Sequence, residues 1–198
     1  MIDQLVLATN NPRKLIELQR VLEAAGLKVA VRPLADFDAY DEPAEDADDF
    51  EGNALIKARA ACKRTGLPAV ADDSGLEVDA FNRMPGIRSA RWAGPGTSDA
   101  DNLELLLRQT SDLPDVKRTA RFVCALALVT PEGTERIWRH TMEGRIIAEP
   151  RGGNGFGYDP MFVPDGCDVT SAELSADDKD AISHRGRALR AMAEDLAR

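Results

Sequence analysis

The chain has little of several things, and each shortage removes a class of protein. Three cysteines, Cys62, Cys124 and Cys167, are scattered through 198 residues. An odd and widely spaced set forms neither a disulfide framework nor a zinc pattern. Positive charge is in deficit, with 25 Lys and Arg against 34 Asp and Glu and a net charge of −9. That argues against non-specific nucleic-acid binding, which needs a basic face. No apolar run approaches the ~20 residues that a bilayer-spanning helix requires. Met1-Ile2-Asp3-Gln4 lacks the basic region of a secretory signal, so a reducing cytoplasm is the expected location. There is no internal repeat and no low-complexity linker.

What remains is the composition of an ordinary globular protein, 43% hydrophobic and 30% charged. The length fits one domain, or one domain with two lobes, spanning residues 1–198. It is enough to bury a core without disulfides or a structural metal. An acidic protein can still bind a small phosphate compound, because a few Lys, Arg and backbone N–H groups suffice locally and a divalent metal can bridge the rest.

The chain opens with an apolar run, Gln4 to Thr9, that reads as a buried strand. Pro12 suits the first turn of a helix, Leu15, Leu18, Val21 and Leu22 recur at helical spacing, and Gly26 stops it. Leu27 to Leu34 is predicted as a second strand, and Asp36 to Asp49 as an acidic loop. Phe50 to Arg64 reads as a helix with a small-residue face, Ala54, Ala58 and Ala61. Two short strands, Pro68 to Ala71 and Leu76 to Phe81, are expected on either side of an Asp72-Asp73-Ser74-Gly75 turn. A loop holding Arg88, Arg91 and Trp92 follows. Thr97 or Ser98 would cap a helix through Leu107. Arg121 to Thr130 and Arg136 to Glu143 should form a hairpin across Pro131-Glu132-Gly133. Ile146-Ile147 belongs to a third strand, Arg151 to Pro160 is a glycine-rich loop, and Ser175 to Arg198 closes the chain as one helix.

Several polar clusters fall at the ends of these elements. Thr9-Asn10-Asn11-Pro12-Arg13-Lys14 joins a strand to a helix N-terminus, where free N–H groups and the dipole favour an anion. It lacks the glycines of a P-loop, and an N-capped helix with two surface cations is the plain alternative. In Asp72-Asp73-Ser74-Gly75, two adjacent carboxylates are costly to bury without a cation. Mg²⁺ takes one or two carboxylates together with substrate phosphates, and a carboxylate there could activate water. The alternative is a polar turn with Gly75 at positive φ. The acidic loop, in particular Glu42, Glu45 and Asp46, offers another metal ligand or simply a solvated face. In the loop from Gly152 to Pro160, glycines permit close backbone approach. Phe156 and Tyr158 could stack on a base and Asp159 could accept a hydrogen bond; a hairpin tip is the alternative. Lys179 and Ser183 are four residues apart and share a helical face. His184 and Arg185 follow, a donor pair that could reach a purine carbonyl or lie on a surface helix. Lys57, among small residues, reaches either a buried anion or solvent.

Taken together, six stretches resemble the Ham1-like family of inosine/xanthosine triphosphate pyrophosphatases. They are 7–14, 53–58, 71–76, 85–91, 155–160 and 183–186, in an order and spacing that cover nearly the whole chain. The resemblance implies an elongated, two-lobed α/β fold, a long central mixed sheet flanked by helices, a nucleotide cleft between the lobes, and a homodimer. It implies hydrolysis of ITP, dITP and XTP to monophosphate and pyrophosphate with Mg²⁺. Thr9 to Lys14 would hold the triphosphate and Lys57 would face phosphate. Asp73 would be the catalytic carboxylate and a metal ligand. Ser74, Phe156, Gly157, Tyr158, Asp159, Lys179, His184 and Arg185 would touch substrate. Where relatives carry a Glu-Glu pair in the acidic loop, this chain reads Ala44-Glu45, so Glu45 is taken as the second metal ligand. Two rival readings remain: a Maf-like dTTP/UTP pyrophosphatase, and a nucleotide-binding module that does not hydrolyse.

Overall fold

The computed structural model describes residues 2–9, 11–37 and 43–198, without the side chains of Pro12 and Arg13. Helices flank a mixed sheet, as the sequence predicts. Its strands are β1 (Gln4–Leu7), β2 (Ala30–Pro33), β3 (Ala69–Val78), β4 (Met84–Pro85), β5 (Thr119–Val129), β6 (Glu135–Ile146) and β7 (Phe162–Pro164). They lie in the order β2-β1-β3-β5-β6-β7, with β4 paired to β3. β1 runs parallel to β2 and β3, while β4 and β7 pair antiparallel with β3 and β6. The α-helices are α1 (Pro12–Ala24), α2 (Phe50–Thr65), α3 (Asp99–Gln109), α4 (Ala176–Ile182) and α5 (His184–Leu196). Among the described residues, no helix is long and apolar enough to cross a membrane.

The chain divides into two compact units. The first comprises Met1–Asp73, Cys124–His140 and Arg185–Arg198. Its core joins Leu5 and Leu7 of β1, Leu18 and Leu22 of α1, Val70, Leu126, and Leu189 and Met192 of α5. β1 is apolar at every buried position because a parallel strand is covered on both faces. α2 begins at Asp49, whose side chain accepts from the Gly52 N–H at 2.7 Å. It ends at Gly66, left-handed with φ 69°. The alanines predicted as a small-residue face, Ala54, Ala58 and Ala61, are all buried. The turn joining β5 to β6 closes through Gly133, whose N–H meets the Thr130 carbonyl at 2.9 Å.

The second unit comprises Ser74–Val123 and Thr141–His184. Leu76, Leu106, Phe122, Met142, Ile146, Tyr158, Met161 and Phe162 form its core. α3 starts in a capping box between Ser98 and Asp101, so of the two predicted caps Ser98 is the one used. Arg121 is held among Glu77, Asp79 and Glu143.

Four sequence expectations are corrected. The predicted Asp72–Gly75 turn does not form; the segment stays extended inside a ten-residue β3, and Gly75 is not at positive φ. The reason is electrostatic: paired cations let a carboxylate sit within a strand. The predicted single closing helix breaks at Ser183, with φ −65° and ψ 152°, leaving His184 to begin α5. Ile146 is the last residue of β6 rather than part of a separate strand. The loop predicted around Arg88 and Arg91 is a short 3-10 helix, Gly86–Arg91.

Candidate functional site

Successive residues of a strand point to opposite faces, and the two aspartates of β3 accordingly meet different partners. Asp72 is almost fully buried. Both of its oxygens accept from Lys14 Nζ at 2.9 Å. Oδ2 also accepts from Nε and Nη2 of Arg185 at 3.2 Å. Burial alone would raise the pKa of this carboxyl, but Lys14 and Arg185 outweigh it and hold the group well below the usual range. Asp72 is therefore a fixed anion, and too weak a base to take a proton from water.

Asp73 behaves in the opposite way. Its Oδ2 accepts from Asn53 Nδ2 at 3.1 Å and its Oδ1 from Lys57 Nζ at 3.3 Å. Burial pushes its pKa up and the nearby Glu45 charge adds to the rise, against the counter-pull of Lys57 and Asn53. Lys57 also donates to Glu45 Oε1 at 2.8 Å, so one ammonium bridges two carboxylates. Burial alone would lower the Lys57 pKa, yet Asp73 and Glu45 leave it above its ordinary value. Two hard oxygen donors that repel each other across a single cation fit a divalent ion such as Mg²⁺. Among the described residues, no group of three His, Cys, Asp or Glu gathers to hold a metal without help.

At the chain's opening turn, Thr9 Oγ1 accepts from the Asn11 N–H at 3.2 Å. Asn10 and Glu42 lie outside the described residues, as do the side chains of Pro12 and Arg13. The first unit thus brings Lys14, Glu45, Lys57, Asp72, Asp73 and Arg185 into two linked ion clusters. Sequence reasoning assigned no role to Asn53. Its signal was an amide at position i−4 from Lys57 on an otherwise alanine-rich helix face.

The second unit arranges its loop around Asp159, itself buried. Asp159 Oδ2 accepts from the Phe156 N–H at 2.8 Å and from Lys179 Nζ. Gly155 needs its φ of 77° here, and a Cβ on it would strike the Asp159 carboxylate. The Gly157 N–H reaches Asp99 Oδ2 at 3.1 Å, a partner the sequence did not suggest. The two aromatic residues predicted to stack on a base part company. Phe156 is 51% exposed, with Lys179 Nζ 5.5 Å from its ring centre. Tyr158 lies in the core, its hydroxyl donating to the Ser89 carbonyl at 2.8 Å, and burial drives its pKa upward. Its ring is packing, and of the two only Phe156 is exposed. His184 is buried and stacks on Phe122 at 5.1 Å and 11°. Ser74 is part-buried on β3. The chain passes between the units at four peptide bonds, Asp73–Ser74, Val123–Cys124, His140–Thr141 and His184–Arg185.

The chain is similar to known proteins over nearly its whole length. The model of the Ham1 family matches residues 5–195. A dITP/XTP pyrophosphatase of Cutibacterium acnes is 60% identical over 193 residues, 96% of this chain and 95% of the relative. A crystal structure of a nucleoside-triphosphatase / dITP/XTP pyrophosphatase from Mycobacterium abscessus is 55% identical. It has a TM-score of 0.81 over 96% of this chain and 97% of that one. A HAM1 protein structure from Coxiella burnetii, 42% identical, gives a TM-score of 0.91 over 99% and 98% of the two chains. With a family-model match over residues 5–195 and relatives 50–60% identical over nearly its whole length, the chain belongs to the Ham1 family.

Proposed function

We propose that the chain hydrolyses deaminated purine nucleoside triphosphates, namely ITP, dITP and XTP, at the α-phosphorus to give monophosphate and pyrophosphate. Relatives at 50–60% identity carry the name dITP/XTP pyrophosphatase. The observation that carries the chemistry is the division of labour between Asp72 and Asp73. One carboxylate is locked between two cations, and its neighbour keeps a raised proton affinity beside Lys57 and Glu45.

Asp73 acts as the base that takes a proton from the attacking water. A carboxylate whose pKa lies above the ordinary range is a stronger base, and Lys57 keeps it ionised. Asp73 and Glu45 would hold Mg²⁺, which neutralises phosphate charge when bound. Lys14, Lys57 and Lys179 supply further positive charge where the triphosphate gains negative charge in the transition state. Thr9, Asn10, Asn11, Pro12 and Arg13 complete the phosphate end of this reading. Asp72 holds Lys14 and Arg185 in place. Because charge and position do most of the work, little covalent chemistry is asked of the protein.

Ser74, Phe156, Gly157, Tyr158, Asp159, His184 and Arg185 are assigned to the nucleoside end. Phe156 supplies a stacking face, and Tyr158 contributes through its backbone, since its ring is buried. Donors that meet a 6-keto oxygen would face the 6-amino group of adenine, a mismatch that discriminates strongly. A homodimer, implied by the family resemblance, and a reducing cytoplasm, expected from the few scattered cysteines, complete the proposal.

The test is a panel of ITP, dITP, XTP, ATP, GTP, dTTP and UTP with Mg²⁺, assayed for monophosphate and pyrophosphate. Turnover of the first three with pyrophosphate release is expected. Preference for dTTP or UTP, or saturable binding without turnover, would overturn the reading.

A further inference from the structure

α2 presents two polar side chains one turn apart, Asn53 and Lys57, on a face otherwise made of alanines. Each reaches two places. Lys57 Nζ spans Asp73 Oδ1 and Glu45 Oε1. Asn53 Nδ2 donates to Asp73 Oδ2 at 3.1 Å, and Asn53 Oδ1 accepts from the Ala47 N–H at 3.1 Å. Both oxygens of Asp73 are therefore gripped by consecutive turns of one helix, and both turns also hold the segment that carries Glu45.

Asn53 is completely buried, which is unusual for an amide and requires that its polar atoms be satisfied. A buried residue whose donor and acceptor are both engaged has one orientation, since turning the amide would set its NH2 against the Ala47 N–H, donor to donor, and its oxygen against the Asp73 carboxylate, acceptor to acceptor. The surroundings reinforce this lock. The Asp49 side chain caps the same helix start by accepting from Gly52. A Cβ at Gly52 would come within 2.5 Å of the Ala47 Cβ, so the absence of a side chain there lets the segment lie against the helix.

We infer that Asn53 is a positioning residue that fixes the Asp73 carboxylate and the Glu45 segment relative to each other. Lys57 makes the charged rung of this ladder and Asn53 the neutral one. Lys57 can move to a phosphate when substrate arrives, whereas Asn53 carries no charge to be drawn away. The spacing of the two carboxylates then depends on Asn53 during turnover. This role rests on the proposed assignment of Asp73 and Glu45.

The test uses the full chain with ITP and Mg²⁺. Asn53→Leu keeps similar bulk and removes both bonds. Asn53→Asp keeps the acceptor for Ala47 and replaces the donor with a second anion facing Asp73. Loss of such an outer partner typically lowers activity roughly 10–100-fold, and we expect both variants to lose kcat in that range with smaller changes in KM. Amide hydrogen exchange supplies a readout independent of turnover. Exchange over residues 43–49 should accelerate in Asn53→Leu and stay near the unsubstituted rate in Asn53→Asp. Gly52→Ala, which crowds the segment while leaving Asn53 in place, should accelerate the same exchange and raise the half-saturating Mg²⁺ concentration several-fold. It carries the test together with Asn53→Asp if Asn53→Leu does not fold. Folded Asn53 variants with kcat within twofold of the unsubstituted enzyme would overturn the inference, as would losses that merely track the unfolded fraction. Asp73→Asn separates the two levels. An active Asp73→Asn enzyme removes the parent assignment, whereas inactive Asp73→Asn beside fully active Asn53 variants removes only the role of Asn53.

Discussion

In the first unit most of the candidate groups stand on regular elements, whereas in the second most of them belong to a loop or its edges. Asp72 and Asp73 lie on β3, Lys14 on α1, Lys57 on α2 and Arg185 on α5, and they meet through charged side chains. The glycine-rich loop turns backbone N–H groups toward the carboxylates of Asp159 and Asp99 and leaves Phe156 half exposed. The difference suits two kinds of target. A triphosphate with a metal needs fixed charges, which rigid elements hold at constant separation. A base needs a flat apolar face and a few directed hydrogen bonds, which a glycine-rich backbone can supply at close range.

The sharpest way to break this comparison is within the first unit. Asp73→Asn removes the proposed proton acceptor and the proposed metal ligand together. Turnover of ITP should fall by about 10³-fold or more, with the fold retained by circular dichroism. Pyrophosphate release near the unsubstituted rate would remove Asp73 from catalysis. Asp72→Asn should act on stability instead. It leaves Lys14 and Arg185 without their buried counter-charge, which costs about 3–5 kcal/mol. For a chain of this length each kcal/mol lowers Tm by about 2–4 °C, so calorimetry should show a drop of about 10 °C.

The same two carboxyls give opposite pH signatures. Asp72, depressed in the folded state, contributes stability that is fully present above the ordinary Asp range and is lost as pH falls below it. Urea unfolding at pH 5 and pH 3 should show that loss, and Asp72→Asn should flatten it. Asp73, raised in the folded protein without metal, makes a contribution of the opposite sign, present below the ordinary Asp range and lost as pH rises through it. Lys57→Met removes the cation that favours the ionised form and, without metal, should raise the Asp73 pKa further, read by NMR titration of its carboxyl carbon.

In the second unit the expected effects are smaller. Phe156→Ala removes the exposed ring, and stacking of a base on such a ring is worth about 1–3 kcal/mol. KM for ITP should rise roughly tenfold with kcat less affected. Tyr158→Phe instead leaves the buried Ser89 carbonyl without its donor and should cost about 1–2 kcal/mol of stability, read by urea unfolding. If the Tyr158 change raised KM more than the Phe156 change, the two rings would have to exchange roles.

Much of the chain was legible because its signals are local. β1, α1 and α2 announce themselves by apolar runs, helical spacing and the stop signals Gly26 and Gly66, all of which act within a few residues. Ser98 was readable as a cap for the same reason. The Asp72-Asp73-Ser74-Gly75 stretch was misread as a turn because its local chemistry does favour one. The cations that keep Asp72 in a strand come from positions 58 and 113 residues away in sequence. The break at Ser183 was hidden too, since nothing in Ile182-Ser183-His184 forbids a helix.

By itself the sequence determined the element types, the small-residue face of α2, and the polar stretches whose order marks the family. Only the tertiary structure decided which carboxylate is a fixed anion and which has a raised proton affinity, that Tyr158 is core while Phe156 is exposed, and that Asn53 joins Asp73 to the Glu45 segment. Propensity and periodicity are written in neighbouring residues. Proton affinity and burial are set by groups that become neighbours only when the chain has folded.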